Sequence, residues 1–310
     1  MTLHATISAR LLAAGLDPED TERVVRAALD EDLRYGPDVT SAATAAADAR
    51  AVAGVVAREP GVLAGLPVVL AVLDAVGIAP TAAEPLRADG DRIDAGTEVL
   101  RICAPLRELL GAERTLLNFL THLSGIASAT RAWADALSGT GCAVRDTRKT
   151  TPGLRQLEKY AVRCGGGVNH RMGLGDAALI KDNHVAAAGG IAAAIAAVRA
   201  AAPGLPLEVE CDTLAQVREA LGAGARLILL DNMGLADLRA AVAMASRYPL
   251  ARLEASGGLR LEAARAVAQT GVDFVAVGAL THSSPALDLG LDLHGPGLSP
   301  AVQGGERGAE

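Results

Sequence analysis

A chain of 310 residues with 29 Lys and Arg against 36 Asp and Glu carries a formal net charge of −7. Half of its residues are hydrophobic and 21% are charged, which excludes a disordered chain and allows two domains, each with its own core. With one Trp, three Tyr and two Phe, it lacks the stacked aromatics of a single-strand binder, and its acidic balance argues against general DNA binding. The longest uncharged apolar stretch, Val185 to Val198, is 14 residues of mostly Ala and Gly, against the roughly 20 that a spanning helix needs. The N-terminus turns acidic before an apolar core develops, so no signal peptide is read there. Cys103, Cys142, Cys164 and Cys211 are far apart, without a C-x-x-C pair, and read as reduced, packed thiols of a cytoplasmic protein. All three lysines, Lys149, Lys159 and Lys181, lie between residues 149 and 181, whereas every other basic position is Arg. An Arg-biased composition explains the scarcity. The clustering points to a use for compact ammonium groups.

In chain order, Thr21 to Leu33 has helical spacing with a Thr cap, and Tyr35-Gly36-Pro37-Asp38 reads as a turn. Ala51 to Arg58 predicts a strand and Leu66 to Val76 a helix. Ala88 to Ile102 alternates turn residues with short β runs, as in a hairpin. Leu106 to Leu137 is a long helical pattern interrupted by Gly111 and Gly125, which predicts two helices or one bent helix between the halves. From Cys142 a different rhythm begins. Apolar runs recur at 142–144, 177–180, 207–209, 227–230, 251–253 and 272–277, with Ala-rich helical stretches such as 213–221 and 235–245 between the later ones. This alternation predicts a parallel sheet with helical crossovers. The runs end in polar, charged or glycine residues: Arg148 and Lys149, Lys181 and Asp182, Glu210, Asp231 and Asn232, Glu254 and Ser256-Gly257-Gly258, and Gly278. Chemistry gathered at many strand ends fits a β/α barrel rather than an open doubly wound sheet with a single switch point. Six strands are too few for a full barrel, so an incomplete, open one is expected. The expected organisation is an N-terminal α/β sandwich domain over 1–115 with a returning segment at about 280–294, an open-barrel domain over 116–279, and a disordered tail over 295–310. The run PALDLGLDL from Pro285 reads as the returning edge strand.

Between Arg145 and Lys181 there are eight basic and three acidic side chains, a local excess of five positive charges inside an acidic protein. Such an excess marks a focused anion site. Arg155, Lys159 and Arg163 follow i, i+4 spacing and suit a solvated helix face. Arg148 and Lys149 in a DTRKTTPG turn, and His170-Arg171 behind Gly165-Gly166-Gly167, do not. The triple glycine allows close approach to a ligand or positive φ, or makes a tight turn. Glu210 and Asp231 end consecutive strands. They read as oxygen donors for Mg²⁺ held partly by substrate phosphates, as acceptors for a substrate hydroxyl, or as a structural partner of Lys181. Ser256-Gly257-Gly258 and Val277-Gly278-Ala279 stand where barrel enzymes commonly bind phosphate. Arg145 reads as an internal partner of an acid behind the site. His184 and His282 stand near the rim, and His4, His122 and His294 have no companions that suggest a site.

The run DTRKTTPGLRQLEKYAVRCGGGVNHRMGLGDAALIKDNH from Asp146 resembles the centre of the quinolinate phosphoribosyltransferase family. EDLRYGPDVTS at Glu31, ERTLLNFL at Glu113, VEC at Val209, LLDNM at Leu229, EASGG at Glu254 and VGALTHS at Val277 also match, in order, over about residues 10 to 293. The resemblance implies transfer of phosphoribosyl from phosphoribosyl pyrophosphate to quinolinate, with decarboxylation to nicotinate mononucleotide and a requirement for Mg²⁺. It implies that Arg148, His170 and Arg171, with Thr147 and with Arg114 of a neighbouring subunit, grip the quinolinate carboxylates, so that the working unit is a homodimer or a larger assembly. Lys149 and Lys181 would contact quinolinate or phosphate, Glu210 and Asp231 the ribose hydroxyls and Mg²⁺, and Ser256, Gly257, Gly258, Gly278 and Ala279 the 5′-phosphate. Three other classes stay open: a phosphoribosyltransferase for nicotinate without decarboxylation, a Schiff-base aldolase using Lys181, and a non-catalytic sensor of phosphorylated metabolites.

Overall fold

The computed structural model describes residues 3–294; the tail for which disorder is expected lies outside them. The chain divides into two units, one taking the chain up to Ser124 and again from Ala286, the other running from Gly125 to Pro285. The first boundary, between Ser124 and Gly125, falls inside the same continuous helix, Leu106–Leu137, as the expected one near residue 115, and an unbroken helix leaves no shift of composition to mark it.

In the first unit, helices α1 (Ala5–Ala13) and α2 (Pro18–Leu33) pack on α4 (Leu66–Ala75), whose residues Val68 to Leu73 are all buried. Asp17 caps α2 by accepting from the N–H groups of Glu19 and Asp20, and Pro18 supplies the first turn. The helix therefore starts before Thr21, which is buried and donates its hydroxyl to the Asp17 carbonyl instead of capping. A short α3 (Val39–Thr44) follows, then β1 (Arg50–Ala57), β2 (Gly61–Val62), β3 (Ala83–Pro85), β4 (Arg92–Ile93), β5 (Glu98–Pro105) and, from the end of the described chain, β12 (Leu289–His294). The antiparallel sheet has the order β12-β1-β5-β3, so the returning segment is an edge strand on β1. Along β5, Leu100, Ile102 and Ala104 are buried while Arg101 and Cys103 are exposed, the alternation of a one-sided sheet. β4 pairs with β2 rather than with β5, so the expected hairpin over Ala88–Ile102 does not form. The long pattern from Leu106 is one continuous 32-residue helix, α5 (Leu106–Leu137). Gly111 costs about 1 kcal/mol there, but the buried stripe of Leu109, Leu116, Leu120 and Leu123 holds the helix through it.

The second unit contains, after the end of α5, β6 (Ala143–Arg145), α6 (Arg155–Cys164), β7 (Ala178–Ile180), α7 (Asp182–Ala188), α8 (Ile191–Ala201), β8 (Leu207–Cys211), α9 (Leu214–Gly222), β9 (Leu227–Asp231), α10 (Leu235–Ala245), β10 (Arg252–Ser256), α11 (Ala264–Ala268), β11 (Phe274–Ala276) and α12 (Ala279–His282). All strand pairs are parallel, in the order β6-β11-β10-β9-β8-β7. The edge strands β6 and β7 are consecutive in the chain yet unpaired with each other, so the barrel is open between them. The segment after α6 runs beside β6 instead, with the Val168 N–H donating to the Val144 carbonyl at 2.9 Å. That segment is where His170 and Arg171 sit.

Candidate active site

The site is built on a buried layer of charge inside the open barrel. Asp146, just past β6, is fully buried and accepts from three donors: Lys159 Nζ on α6, Asn169 Nδ2 at 2.5 Å, and the His170 N–H at 2.8 Å. Lys159, also 0% exposed, gives a second bond to the His170 carbonyl at 3.0 Å. Burial lowers the Lys159 pKa, and the Asp146 charge opposes that shift. Arg145 reaches Glu254 on β10 at 2.5 Å and lies over the Phe274 ring, 4.7 Å from its centroid. Glu254 is 0% exposed. Burial pushes its carboxyl up to about 7, the nearby Glu208 charge adds to the rise, and Arg145 and His170 oppose it.

His170 joins these groups to the rim. Its Nε2 lies 2.6 Å from Glu208 Oε2 on β8, and its Nδ1 accepts the Arg171 N–H at 2.7 Å. The neighbouring loops are clamped by Arg155, whose guanidinium donates to Thr150 Oγ1 at 3.0 Å, to the Met172 carbonyl at 3.1 Å and to the Arg148 carbonyl at 3.5 Å. Arg148 and Arg171 are thereby brought into electrostatic range. Burial, then the Arg148 charge, lowers the Arg171 pKa. The Nε atoms of both guanidiniums are buried without a hydrogen-bond partner. Two like charges with donors left over make a place for an anion. Arg171 also borders a cleft of about 490 Å³ that reaches Leu179, Ile180 and His184.

The remaining strand ends supply exposed polar groups. After β6, Thr147 Oγ1 accepts the Lys149 N–H at 3.0 Å, and the Lys149 carbonyl accepts from Thr281 at 2.8 Å. A Cβ at Gly278 would fall 2.9 Å from the Lys149 side chain and 3.4 Å from Thr147 Oγ1, so the loops after β6 and β11 meet there only because residue 278 is glycine. Ala279 follows, exposed. Lys181, 46% exposed at the end of β7, is ion-paired with Glu210 on β8. Asp231 ends β9 and accepts from Asn232 Nδ2 at 2.6 Å, while the Asn232 N–H donates to the Ser256 carbonyl at 2.9 Å. Asn232 holds φ 54°, and Gly257 and Gly258 hold φ 92° and 56° beside it. Arg114 lies on α5 in the first unit, exposed. A cleft of about 820 Å³ in that unit, lined in part by His4, Arg10, Asp74 and Glu84, includes none of the expected site residues.

Several expectations change. Lys159 is not on a solvated helix face but in the buried ion pair with Asp146, and Arg155 is a clamp between loops; only Arg163 of that trio is exposed. The triple glycine serves packing against α5: a Cβ at Gly165 would lie 2.5 Å from Ala127 O, and one at Gly167 2.8 Å from Thr130. Gly166 takes the left-handed turn at φ 90°. Arg145 does pair with a buried acid, Glu254. Glu254 is a strand-end acid in the sequence reading with no role of its own, and Asp146 and Glu208 have none either, although the alternation in LEVEC puts Glu208 and Glu210 on one face of β8, an odd placement for an apolar barrel strand. His170, Glu208 and Glu254 bring possible metal-ligand atoms within 4.8 Å of one another, but Arg145 already occupies Glu254 and the imidazole already occupies Glu208. Glu210 and Asp231, oxygen donors at the ends of adjacent strands, suit a hard cation better.

Comparison with known proteins agrees with this architecture. The family models "Quinolinate phosphoribosyl transferase, N-terminal domain" and "C-terminal domain" match residues 38–124 and 126–292. The nicotinate-nucleotide pyrophosphorylase [carboxylating] of Mycobacterium leprae is 55% identical, over 87% of this chain and 95% of its own. The human protein of that name is 37% identical, over 93% and 97%. A solved nicotinate-nucleotide pyrophosphorylase from Francisella tularensis superposes with a TM-score of 0.82 at 36% identity, over 89% of this chain and 96% of its own. This chain belongs to the quinolinate phosphoribosyl transferase family.

Proposed function

We propose that this enzyme transfers the phosphoribosyl group of phosphoribosyl pyrophosphate to quinolinate and releases CO₂, forming nicotinate mononucleotide and pyrophosphate in the biosynthesis of NAD. The observation that carries the assignment is the Arg148–Arg171 pair, two guanidiniums within electrostatic range, each with a buried Nε that has no partner. A pyridine dicarboxylate offers two anionic groups to fill them, and planar carboxylates suit the guanidinium fork. His170 adjoins the pair through its bond from the Arg171 N–H, and the proposal adds Thr147 and Lys149, which flank Arg148 in the chain.

Both substrates are polyanions, so cations must offset their repulsion before they can meet. The pyridine nitrogen forms its bond to the ribose anomeric carbon as the bond from that carbon to pyrophosphate breaks, through an oxocarbenium-like state. The bond from C2 to its carboxylate then breaks, the electron pair stays on C2 beside the pyridinium nitrogen, and C2 takes up a proton. Lys181 exchanges Glu210 for substrate charge, and the freed Glu210 carboxylate, with Asp231, accepts hydrogen bonds from the ribose hydroxyls. The N–H groups around Ser256, Gly257, Gly258, Gly278 and Ala279 hold the 5′-phosphate. The same two carboxylates, Glu210 and Asp231, would hold Mg²⁺ together with the substrate. The ion held there would supply positive charge to offset that of the pyrophosphate.

A nicotinate-specific enzyme would leave one of the two guanidiniums without a carboxylate. A Schiff-base aldolase needs a desolvated lysine, whereas Lys181 is exposed beside Glu210. Purified protein given quinolinate, phosphoribosyl pyrophosphate and Mg²⁺ should form nucleotide, pyrophosphate and CO₂ in equal amounts. Nucleotide formed without CO₂, or no turnover, overturns the assignment.

The working unit in this proposal is a homodimer in which Arg114 enters the partner's site, consistent with its exposure on α5. Mixing Arg114→Ala with Lys181→Ala, each inactive alone, should then restore activity by pairing one intact site. A cytoplasmic location belongs to the same proposal and is supported by four free cysteines. Among the described residues no single helix is long and apolar enough to cross a membrane.

A further inference from the structure

Every polar group of His170 is engaged inside the protein. Its N–H goes to Asp146 at 2.8 Å, its carbonyl accepts from Lys159 at 3.0 Å, and its ring nitrogens meet Glu208 at 2.6 Å and the Arg171 N–H at 2.7 Å. A backbone N–H can only donate, so Nδ1 is the accepting nitrogen and the ring proton sits on Nε2, facing the Glu208 carboxylate. Glu208 is 3% exposed and its other oxygen has no partner, so this carboxylate is dedicated to the imidazole. If Nε2 lost its acceptor, the tautomer with the proton on Nδ1 would become accessible. That tautomer would set two donors, Nδ1–H and the Arg171 N–H, against each other.

We propose that Glu208 is a positioning residue for the dicarboxylate site: by accepting the Nε2–H of His170 it keeps Nδ1 as the acceptor that holds the Arg171 main chain in place. Arg171 then presents its guanidinium beside Arg148. His170 serves quinolinate through this hold rather than through a ring nitrogen of its own. The inference rests on the function proposed above and adds a residue that the strand-end pattern does not single out.

The test uses the intact enzyme. In [¹⁵N]His-labelled wild-type protein at pH 8, with the six histidines separated by a His170→Gln spectrum, His170 should show protonated Nε2 and unprotonated Nδ1. The opposite tautomer, or a mixture, overturns the proposal without any Glu208 variant having to fold. Glu208→Ala should raise KM for quinolinate about tenfold or more, the scale of one broken buried hydrogen bond, while KM for phosphoribosyl pyrophosphate stays within about twofold. Glu208→Gln retains a carbonyl acceptor for Nε2–H and should recover most of the loss. Unchanged quinolinate KM in Glu208→Ala, or Gln as damaging as Ala, overturns it. A wild-type protein that shows the Nε2–H tautomer but turns over no quinolinate would sink the proposed function and leave the ring geometry standing.

Discussion

Two regions of the second unit carry charge in opposite ways. Below, Asp146, Lys159, Arg145, Glu254, His170 and Glu208 are buried or nearly so, and each main pairing joins groups from different strands, helices or loops. Above, Lys149, Lys181, Glu210 and Asp231 are exposed or half-buried. A buried pair is expensive to break because the survivor stays desolvated. An exposed pair is cheap to break because water replaces the partner. The lower layer is therefore fitted to hold geometry, and the upper one to exchange internal partners for substrate.

That contrast breaks first at Lys159. Lys159→Met leaves the buried Asp146 carboxylate without its cation and should cost about 3–5 kcal/mol in denaturant unfolding. Lys181→Met, at the equivalent charge above, should cost under about 1 kcal/mol while abolishing turnover. Equal stability losses in the two variants would erase the distinction.

Arg171→Ala should lower kcat/KM for quinolinate by about 100-fold, the scale of one lost charge-assisted contact in a closed site. Its effect on kcat/KM for phosphoribosyl pyrophosphate should be smaller. An equal loss for both substrates would move Arg171 out of the dicarboxylate pocket.

Glu254 sharpens the comparison through pH. Its carboxyl is raised from 4.5 to about 7 by burial and by Glu208, so the folded state holds a proton that the unfolded chain releases. The associated stability is complete below about pH 4.5 and is lost as pH rises through 7, on the order of 3 kcal/mol in all. Glu254→Gln, which stays neutral, should flatten that fall between pH 5 and 8. A slope unchanged by the substitution would show that Glu254 does not set it.

The strand-end residues of the upper layer were legible in the sequence, whereas in the lower layer only Arg145 and His170 were, for a physical reason. Strand ends announce themselves: an apolar run that stops at Lys181, Glu210 or Asp231 has left the core, and the alternation of such runs with helices specifies the open barrel. Buried ion pairs carry no local mark, because burial is decided by whatever packs over the residue. Lys159 has the i, i+4 companions of a solvent face, yet α6 turns it onto Asp146. The triple glycine signals unusual backbone, but whether a ligand or a helix approaches it depends on where α5 lies. Of the two readings of Gly111 and Gly125, two helices or one bent helix, the buried leucine stripe decides for a single helix.

The central claim is that Arg148 and Arg171, held from beneath, receive the two carboxylates of one pyridine ring. Calorimetric titration of the wild-type enzyme with quinolinate and with nicotinate tests it most directly, because the two ligands differ by a single carboxylate. Quinolinate should bind about tenfold tighter or better, and Arg171→Ala should remove the preference. Equal affinities in the wild type, or a preference that survives Arg171→Ala, would contradict it.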